Sequence, residues 1–247
     1  MNGANADLNV DDLVAAAWPA PYSQNIGGWV LRHAAGVTKR ANSVLPAGDP
    51  GPLDTSIDQV ERFYAGLGQP AVFSVTGRAR PAGLDERLAA RGYARVDPTL
   101  AMIRELDGPP GVARDGAGAP DGVVVGGEPS REWLDLWWSV DGRYPEQLPM
   151  AEKILTGVSA GYAMLDGVAA GRAVPQGEWL GIYAMAVAPE ARRRGLARRV
   201  LAALLDWGHA RGCRRAYLLV VEGNTAARAL YDGAGFTVAG GYHYRVK

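Results

Sequence analysis

The chain of 247 residues has one cysteine, Cys213, so no disulfide can form within it, and a cytoplasmic location is expected. Cys213 stands in a turn between a helix and a strand with no histidine close in sequence, which reads as a structural thiol and not a nucleophile. The three histidines, His33, His209 and His243, lie far apart and make no metal-ligand spacing, so no catalytic metal is expected. No apolar run approaches the ~18 residues that a membrane helix needs. The N-terminus carries Asp7, Asp11 and Asp12 in place of a basic leader, so no membrane role is expected either. A charge excess is missing too. Lys plus Arg number 26 and Asp plus Glu 26, and this zero balance argues against a general nucleic-acid partner. What remains is a chain long enough for two small domains with real cores.

Residues 107–122, crowded with Gly, Pro, Ala and Asp, read as a linker between a domain at 1–106 and another at 123–247. After the linker, the pattern predicts a short strand, a helix over 130–139, a second helix over 146–157 and a strand near Tyr162. A turn at Asp166-Gly167 leads into a strand over 168–174. Trp133 and Trp137, four residues apart, belong to a buried helix face, whereas Trp138 and Tyr144 suit a pocket for an apolar or aromatic amine. Gly157-Val158-Ser159-Ala160-Gly161 spells a hydrolase nucleophile motif. Here a helix precedes it and a strand follows, the reverse of what that chemistry needs.

The most informative residues come next. A buried strand over 181–187 stops at Pro189, which has no N–H to give a ladder. Leu196, Val200, Ala203, Leu204 and Trp207 then fall at helical spacing, with Gly212 as the left-handed stop. Arg192, Arg193 and Arg194 therefore sit at a helix N-terminus, where free N–H groups and the helix dipole favour an anion and Gly195 permits its close approach. A solvated basic helix start is the alternative. A second buried strand over 215–221 leads to Asn224, a good N-cap, and to a helix whose one face carries Ala227, Leu230, Tyr231 and Ala234 before Gly235 ends it. Taken singly, Asn224 is a cap and Tyr231 a core aromatic.

Jointly, the two segments resemble the GNAT superfamily of acyl-CoA N-acyltransferases. Arg192, Gly195 and Ala197 match its pyrophosphate signature. Asn224, Ala227, Leu230, Tyr231, Gly235 and Phe236 match its second motif, and the resemblance covers residues 121–247. It implies an α/β fold of tandem mixed sheets flanked by helices. Acetyl-CoA would be co-substrate, a small-molecule or peptide amine the acceptor, and a homodimer an assembly the fold allows. It implies that the backbone of Met185, Ala186 and Val187 pairs with the pantetheine arm. Arg192, Arg193, Arg194, Gly195, Leu196, Ala197 and Arg198 would hold the pyrophosphate, Asn224 would touch the pantetheine, and Tyr231 would donate a hydrogen bond to the departing sulfur. The chain departs from the family at the base. Positions where relatives carry a strand glutamate are Gly181 and Leu219, and the nearby Glu178 and Glu222 suit solvated roles, so a water chain is the alternative. A non-catalytic acyl-CoA-binding or regulatory module is the competing reading.

The N-terminal half reads as a worn copy of the same unit. Aligning Gly92-Tyr93 with Gly235-Phe236 pairs a helix over 84–91 with 227–234 and a strand over 71–75 with 214–218. Pro81 then stands at the place of Asn224 and Leu88 at that of Tyr231. Upstream, 29–33 and 38–44 read as a strand pair and 56–67 as a helix with no arginine-glycine signature before it. The expectation is a truncated, non-catalytic domain that packs against and shapes the acceptor cleft. The segments from Gly27 to Arg32 and from Thr38 to Val44 resemble a two-domain branch, some of whose members are described as N-acetylglutamate synthases. Glutamate is thus one acceptor candidate. His243, between Tyr242 and Tyr244 on an expected C-terminal strand, faces either the cleft or solvent.

Overall fold

The computed structural model describes residues 9–106, 122–142 and 145–247. All of the expected linker but Gly122, as well as Tyr144, lies outside the described residues. Two compact units result. One holds the described residues up to Leu100 together with 221–223 and 240–247, and the other holds those between 101 and 220 together with 224–239.

The first unit contains α1 (Val10–Ala17), β1 (Tyr22–Ile26), β2 (Trp29–His33), β3 (Val44–Pro46), α2 (Leu53–Gly66), β4 (Val72–Thr76), α3 (Leu84–Ala90) and the start of β5 (Ala94–Glu105). β1 and β2 form a hairpin, β2 runs antiparallel to β3, and β3 runs parallel to β4. The sheet is completed by the C-terminal residues, with Tyr242 opposite Thr76 and Val246 opposite Val72. Trp29, Leu31, Ile57, Val60, Tyr64, Phe73 and Leu88 fill its core, with the Trp29 ring edge-on to Phe73 at 5.3 Å.

The strand expected over 38–44 is not formed; only Val44 enters one. Thr38 has φ 57, and Lys39–Ala41 make a 3-10 turn. The Asn42 side chain accepts from the N–H groups of Ala34 and Gly36 at 2.8 and 2.9 Å and donates to the carbonyls of Val37 and Thr38 at 2.7 and 2.8 Å. Local side-chain bonds thus satisfy backbone groups that a ladder would have used. β2 keeps β3 on one edge, and its other edge pairs with β1, a polar strand that gave no apolar signal because four of its five residues are exposed.

His243 faces neither cleft nor open solvent. Its Nε2 lies 2.8 Å from Asp85 Oδ1, and Arg245 donates to the same carboxylate at 2.7 and 3.2 Å. Arg245 first, and His243 after it, hold the Asp85 carboxyl at about 2. A lowered pKa stabilises the folded state above the unfolded value near ~4, and that contribution is lost as pH falls from there towards 2. Because the carboxylate is partly exposed, Asp85→Asn is expected to cost only about 1 kcal/mol at neutral pH. Urea titrations at pH 7 and pH 3 check this, the difference from wild type shrinking at the lower pH.

The second unit contains β6 (Val123–Gly126), α4 (Arg131–Asp141), α5 (Leu148–Thr156), β7 (Gly161–Leu165), β8 (Ala169–Gln176), β9 (Trp179–Val187), α6 (Leu196–His209), β10 (Arg215–Val221), α7 (Thr225–Gly233) and the first residues of β11 (Thr237–Val246). Within it the strand order is β5-β10-β9-β8-β7-β6, antiparallel from β6 to β9 and parallel between β9 and β10. α5 starts at Leu148, later than expected, because Pro145–Gln147 form a 3-10 turn first. α6 buries Val200, Leu201, Leu204 and Gly208. A Cβ on Gly208 would stand 2.3 Å from the Leu180 side chain, so glycine is what lets the helix sit this close to β9. Ser130 caps α4 by accepting from Trp133 N at 3.1 Å, and Trp133 and Trp137 are buried as their spacing predicts. Cys213 is buried, its Sγ 3.5 Å from the Trp179 carbonyl, and burial raises its pKa, as suits an inert thiol.

Candidate functional site

The site begins where two parallel strands part. β9 and β10 are paired only from Trp179 with Arg215 to Ile182 with Leu218. β9 continues beyond that point to Val187, and from Ala184 onward its β10-facing edge is unpaired among the described residues. On its other edge β9 carries a bulge. Ala170 pairs with Ala186 and Arg172 with Tyr183, so Ala184 and Met185 together oppose Gly171. Ala184 absorbs the irregularity with φ 51. A Cβ on Gly171 would lie 2.6 Å from Met185 Sδ, so glycine opposite the bulge lets the Met185 side chain pack across β8. Met185 and Val187 are half-buried and Ala186 is buried.

At the end of this edge the chain makes a 3-10 turn over Pro189–Ala191 and enters α6. Arg192, Arg193 and Arg194 are exposed in the connection, and Arg192 Nε donates to the Val187 carbonyl at 3.3 Å. Arg193 and Gly195 both adopt left-handed backbone, φ 60 and 75, of the kind that forms anion-holding concavities. Gly195 is the N-cap of α6, so no side chain caps this end and no acidic residue lies in the first turn. The first intrahelical bond runs from Arg199 N to Gly195 O, and the N–H groups of Leu196, Ala197 and Arg198 are those a helix start leaves over. Arg198 adds an exposed cation one turn in. Together these supply donors and positive charge at one helix start, with no acidic residue in its first turn.

α7 follows β10. The Asn224 side chain accepts from Ala227 N at 3.1 Å and is exposed, so its capping role is visible. Tyr231 is 8% exposed, its ring edge-on to Phe236 at 6.1 Å. Its hydroxyl has no hydrogen-bond partner among the described residues. Burial first, and the Asp141 carboxylate second, push its pKa up to about 12. The phenol therefore keeps its proton throughout the neutral range and acts as a donor.

The places where relatives carry a base hold none here. A Cβ on Gly181 would lie 2.6 Å from the Tyr183 ring and 2.7 Å from Tyr217 Oη. These two buried phenols share a 2.7 Å hydrogen bond, and Tyr217 donates onward to Gln176 Oε1 at 2.6 Å. Gly181→Ala is accordingly expected to destabilise the fold by about 1–3 kcal/mol through overpacking, measured by urea unfolding. Leu219 is half-buried on β10 and has no titratable group. Glu178 stands exposed at the far end of β9, ~23 Å along the strand from Met185, and Glu222 belongs to the other compact unit.

A carboxylate that the sequence reading did not single out adds to burial in raising the Tyr231 pKa. Asp141 ends α4, is exposed, and accepts from Trp137 Nε1 at 3.0 Å. Trp133, two turns earlier on the same helix face, donates to the carbonyls of Ala163 and Gly171 at 3.0 and 3.3 Å. Trp138, by contrast, folds onto its own helix end, where a Cβ on Gly142 would collide with its ring.

Comparison with known proteins adds the family. Residues 9–245 match the model described as probable histone acetyltransferase Rv0428c C-terminal. The chain is 32% identical over 247 residues to an uncharacterized N-acetyltransferase, YobR, of Bacillus subtilis (strain 168), covering 96% of this chain and 97% of that protein. It is 31% identical over 236 residues to the probable histone acetyltransferase Rv0428c of Mycobacterium tuberculosis (strain ATCC 25618 / H37Rv), covering 92% of this chain and 69% of that one. Among solved structures, a tandem GNAT protein from the clavulanic acid biosynthesis pathway is similar with a TM-score of 0.61, at 15% identity, over 99% of this chain and 89% of that one. That likeness is one of fold.

Proposed function

The chain belongs to the GNAT superfamily of N-acetyltransferases, and on that premise we propose that it moves an acetyl group from acetyl-CoA to a primary amine of a small molecule, amino acid or peptide by direct attack. The observation that carries this reading is the unpaired edge of β9 beside β10, ending at the uncapped N-terminus of α6. A pantetheine arm is an extended chain with two amides. It adds to the edge at Met185, Ala186 and Val187 as a strand would, while the pyrophosphate meets the N–H groups and arginines of 192–198. Asn224, capping α7, lies beside the arm.

Holding the thioester along this edge presents its carbonyl carbon to an incoming amine and lowers the entropic part of the barrier. The N–C bond forms, the C–S bond breaks, and sulfur leaves as a thiolate. A thiol titrates near ~8.5, below Tyr231, so the phenol stabilises the thiolate by hydrogen bonding and need not surrender its proton. The first unit, with Leu88 buried at the place of Tyr231 and Pro52 before α2 at the place of an arginine-glycine turn, is read as a non-catalytic GNAT-like domain.

The missing strand carboxylate at Gly181 and Leu219 favours one other reading, an acyl-CoA-binding module without turnover. A thiol-release assay with acetyl-CoA separates the two. The amine panel includes glutamate, aminoglycosides and peptides, and the name of the mycobacterial relative adds lysine-rich histone tails. Release with one acceptor class supports the transferase and identifies its substrate; binding without release across the panel supports the module.

A further inference from the structure

We propose that the first unit carries a ligand site of its own, a groove between β1 and α2 that takes a small organic carboxylate with an apolar body and an amide. The site is independent of the acetyl-CoA reading, and binding alone tests it. β1 and β2 turn at Gly27-Gly28, and their register sets Gln24 opposite Leu31 and Ile26 opposite Trp29. Directly paired residues share a sheet face, and Leu31 and Trp29 belong to the core that Ile57, Val60 and Tyr64 of α2 complete. Gln24 and Ile26 therefore stand on the α2 side of the sheet. Gln59, Arg62 and Phe63, spaced by three and four along α2, line the same open cavity of about 620 Å³. Gly27 and Pro50, so close that a Cβ on Gly27 would stand 2.8 Å from Pro50 Cα, complete its lining. The volume suits a small molecule.

One wall is apolar and fixed. Ile26 and Phe63 are half-buried and packed on the core, and the Phe63 ring is edge-on to Tyr64 at 5.0 Å. The polar side chains around that wall are unengaged. Arg62, Gln24 and Gln59 are exposed, and their side chains have no hydrogen-bond or ion-pair partner among the described residues.

Charge decides what such a lining accepts. The three acidic residues of α2 are all occupied elsewhere. Asp54 accepts from Arg87 at 2.7 and 2.6 Å, Asp58 accepts from Arg91, and Glu61 accepts from Tyr93 Oη at 3.0 Å and Lys247 Nζ at 3.1 Å. Asp49, next to Pro50, accepts from Gly51 N at 2.8 Å within its own loop. Of the residues lining the cavity, Arg62 alone carries a charge. A single guanidinium matches a single negative charge, and its fork fits a carboxylate through two parallel N–H donors. The carboxamides of Gln24 and Gln59 each donate and accept, as an amide does in return. An N-acylated amino acid with an aromatic side chain combines all three features.

The test titrates N-acetyl-phenylalanine into the full nitrogen-15-labelled chain and follows the backbone amide signals. Those of residues 24–27 and 59–63 are expected to shift saturably with a Kd of ~1 mM, as suits a ligand of this size in an open groove. With the same wild-type protein, the uncharged N-acetyl-phenylalaninamide is expected to bind ~10-fold more weakly, because the charge-assisted bond is lost. Arg62→Glu is expected to weaken the carboxylate ~10-fold or more while the remaining signals keep their places, since Arg62 has no partner to lose. No saturation by ~20 mM, or saturation at other residues, overturns the site. Equal binding of acid and uncharged amide, or binding that Arg62→Glu leaves unchanged, overturns the carboxylate assignment. The comparison of the two ligands needs wild-type protein only, so it decides even where a variant fails to fold.

Discussion

Replacing Gly195 with aspartate is expected to weaken acetyl-CoA binding ~100-fold or more, about 3 kcal/mol, while leaving the thermal transition of the free protein unchanged or slightly raised. Gly195 caps α6 with φ 75, a conformation aspartate tolerates better than most residues. Without ligand, the new carboxylate bonds the free N–H groups of the first turn and complements the helix dipole, both mildly stabilising. With ligand, that same carboxylate occupies the place of the pyrophosphate and repels it. Stability and affinity thus move in opposite directions. A solvated basic helix start with no anion to bind would show the first effect and not the second. Calorimetric titration of acetyl-CoA and a thermal melt on the same sample read both.

Tyr231→Phe is expected to reduce turnover ~100-fold with acetyl-CoA affinity unchanged within threefold, since a single donor aimed at developing negative charge is worth about that much. The phenyl ring keeps its contact with Phe236, and no hydrogen bond to a described residue is lost, so the melting temperature should hold. The phenol, pushed up to about 12, stays protonated across the assay range, and a fall in wild-type rate between pH 8 and 10 must come from another group. An unchanged rate for the variant would remove Tyr231 from the chemistry.

The second unit was legible because its signals are physical necessities repeated locally. The buried strand before Pro189, the left-handed Gly195, Gly212 and Gly235, and the Asn224 cap each permit few alternatives, and the structure places all of them as their chemistry requires. Features set by which particular groups pair in the folded chain were not legible. β1 is a strand because it pairs with β2, not because its exposed residues favour one. The stretch 38–44 has strand-like residues, yet the Asn42 side chain wins its backbone groups for a loop. The bulge rests on Ala184, and alanine carries no sequence sign of a positive φ. Residues 240–247 fold with the first unit, which a reading in chain order cannot convey. Asp141 reads as a solvated helix end until the Trp137 indole is seen to hold it.

The central claim is that the parted edge of β9 and the start of α6 form an acetyl-CoA site. Calorimetric titration of acetyl-CoA into the full chain tests it most directly. Saturable one-to-one binding that Gly195→Asp removes is the expected result; no heat from wild type, or binding that survives the substitution intact, contradicts the proposed site.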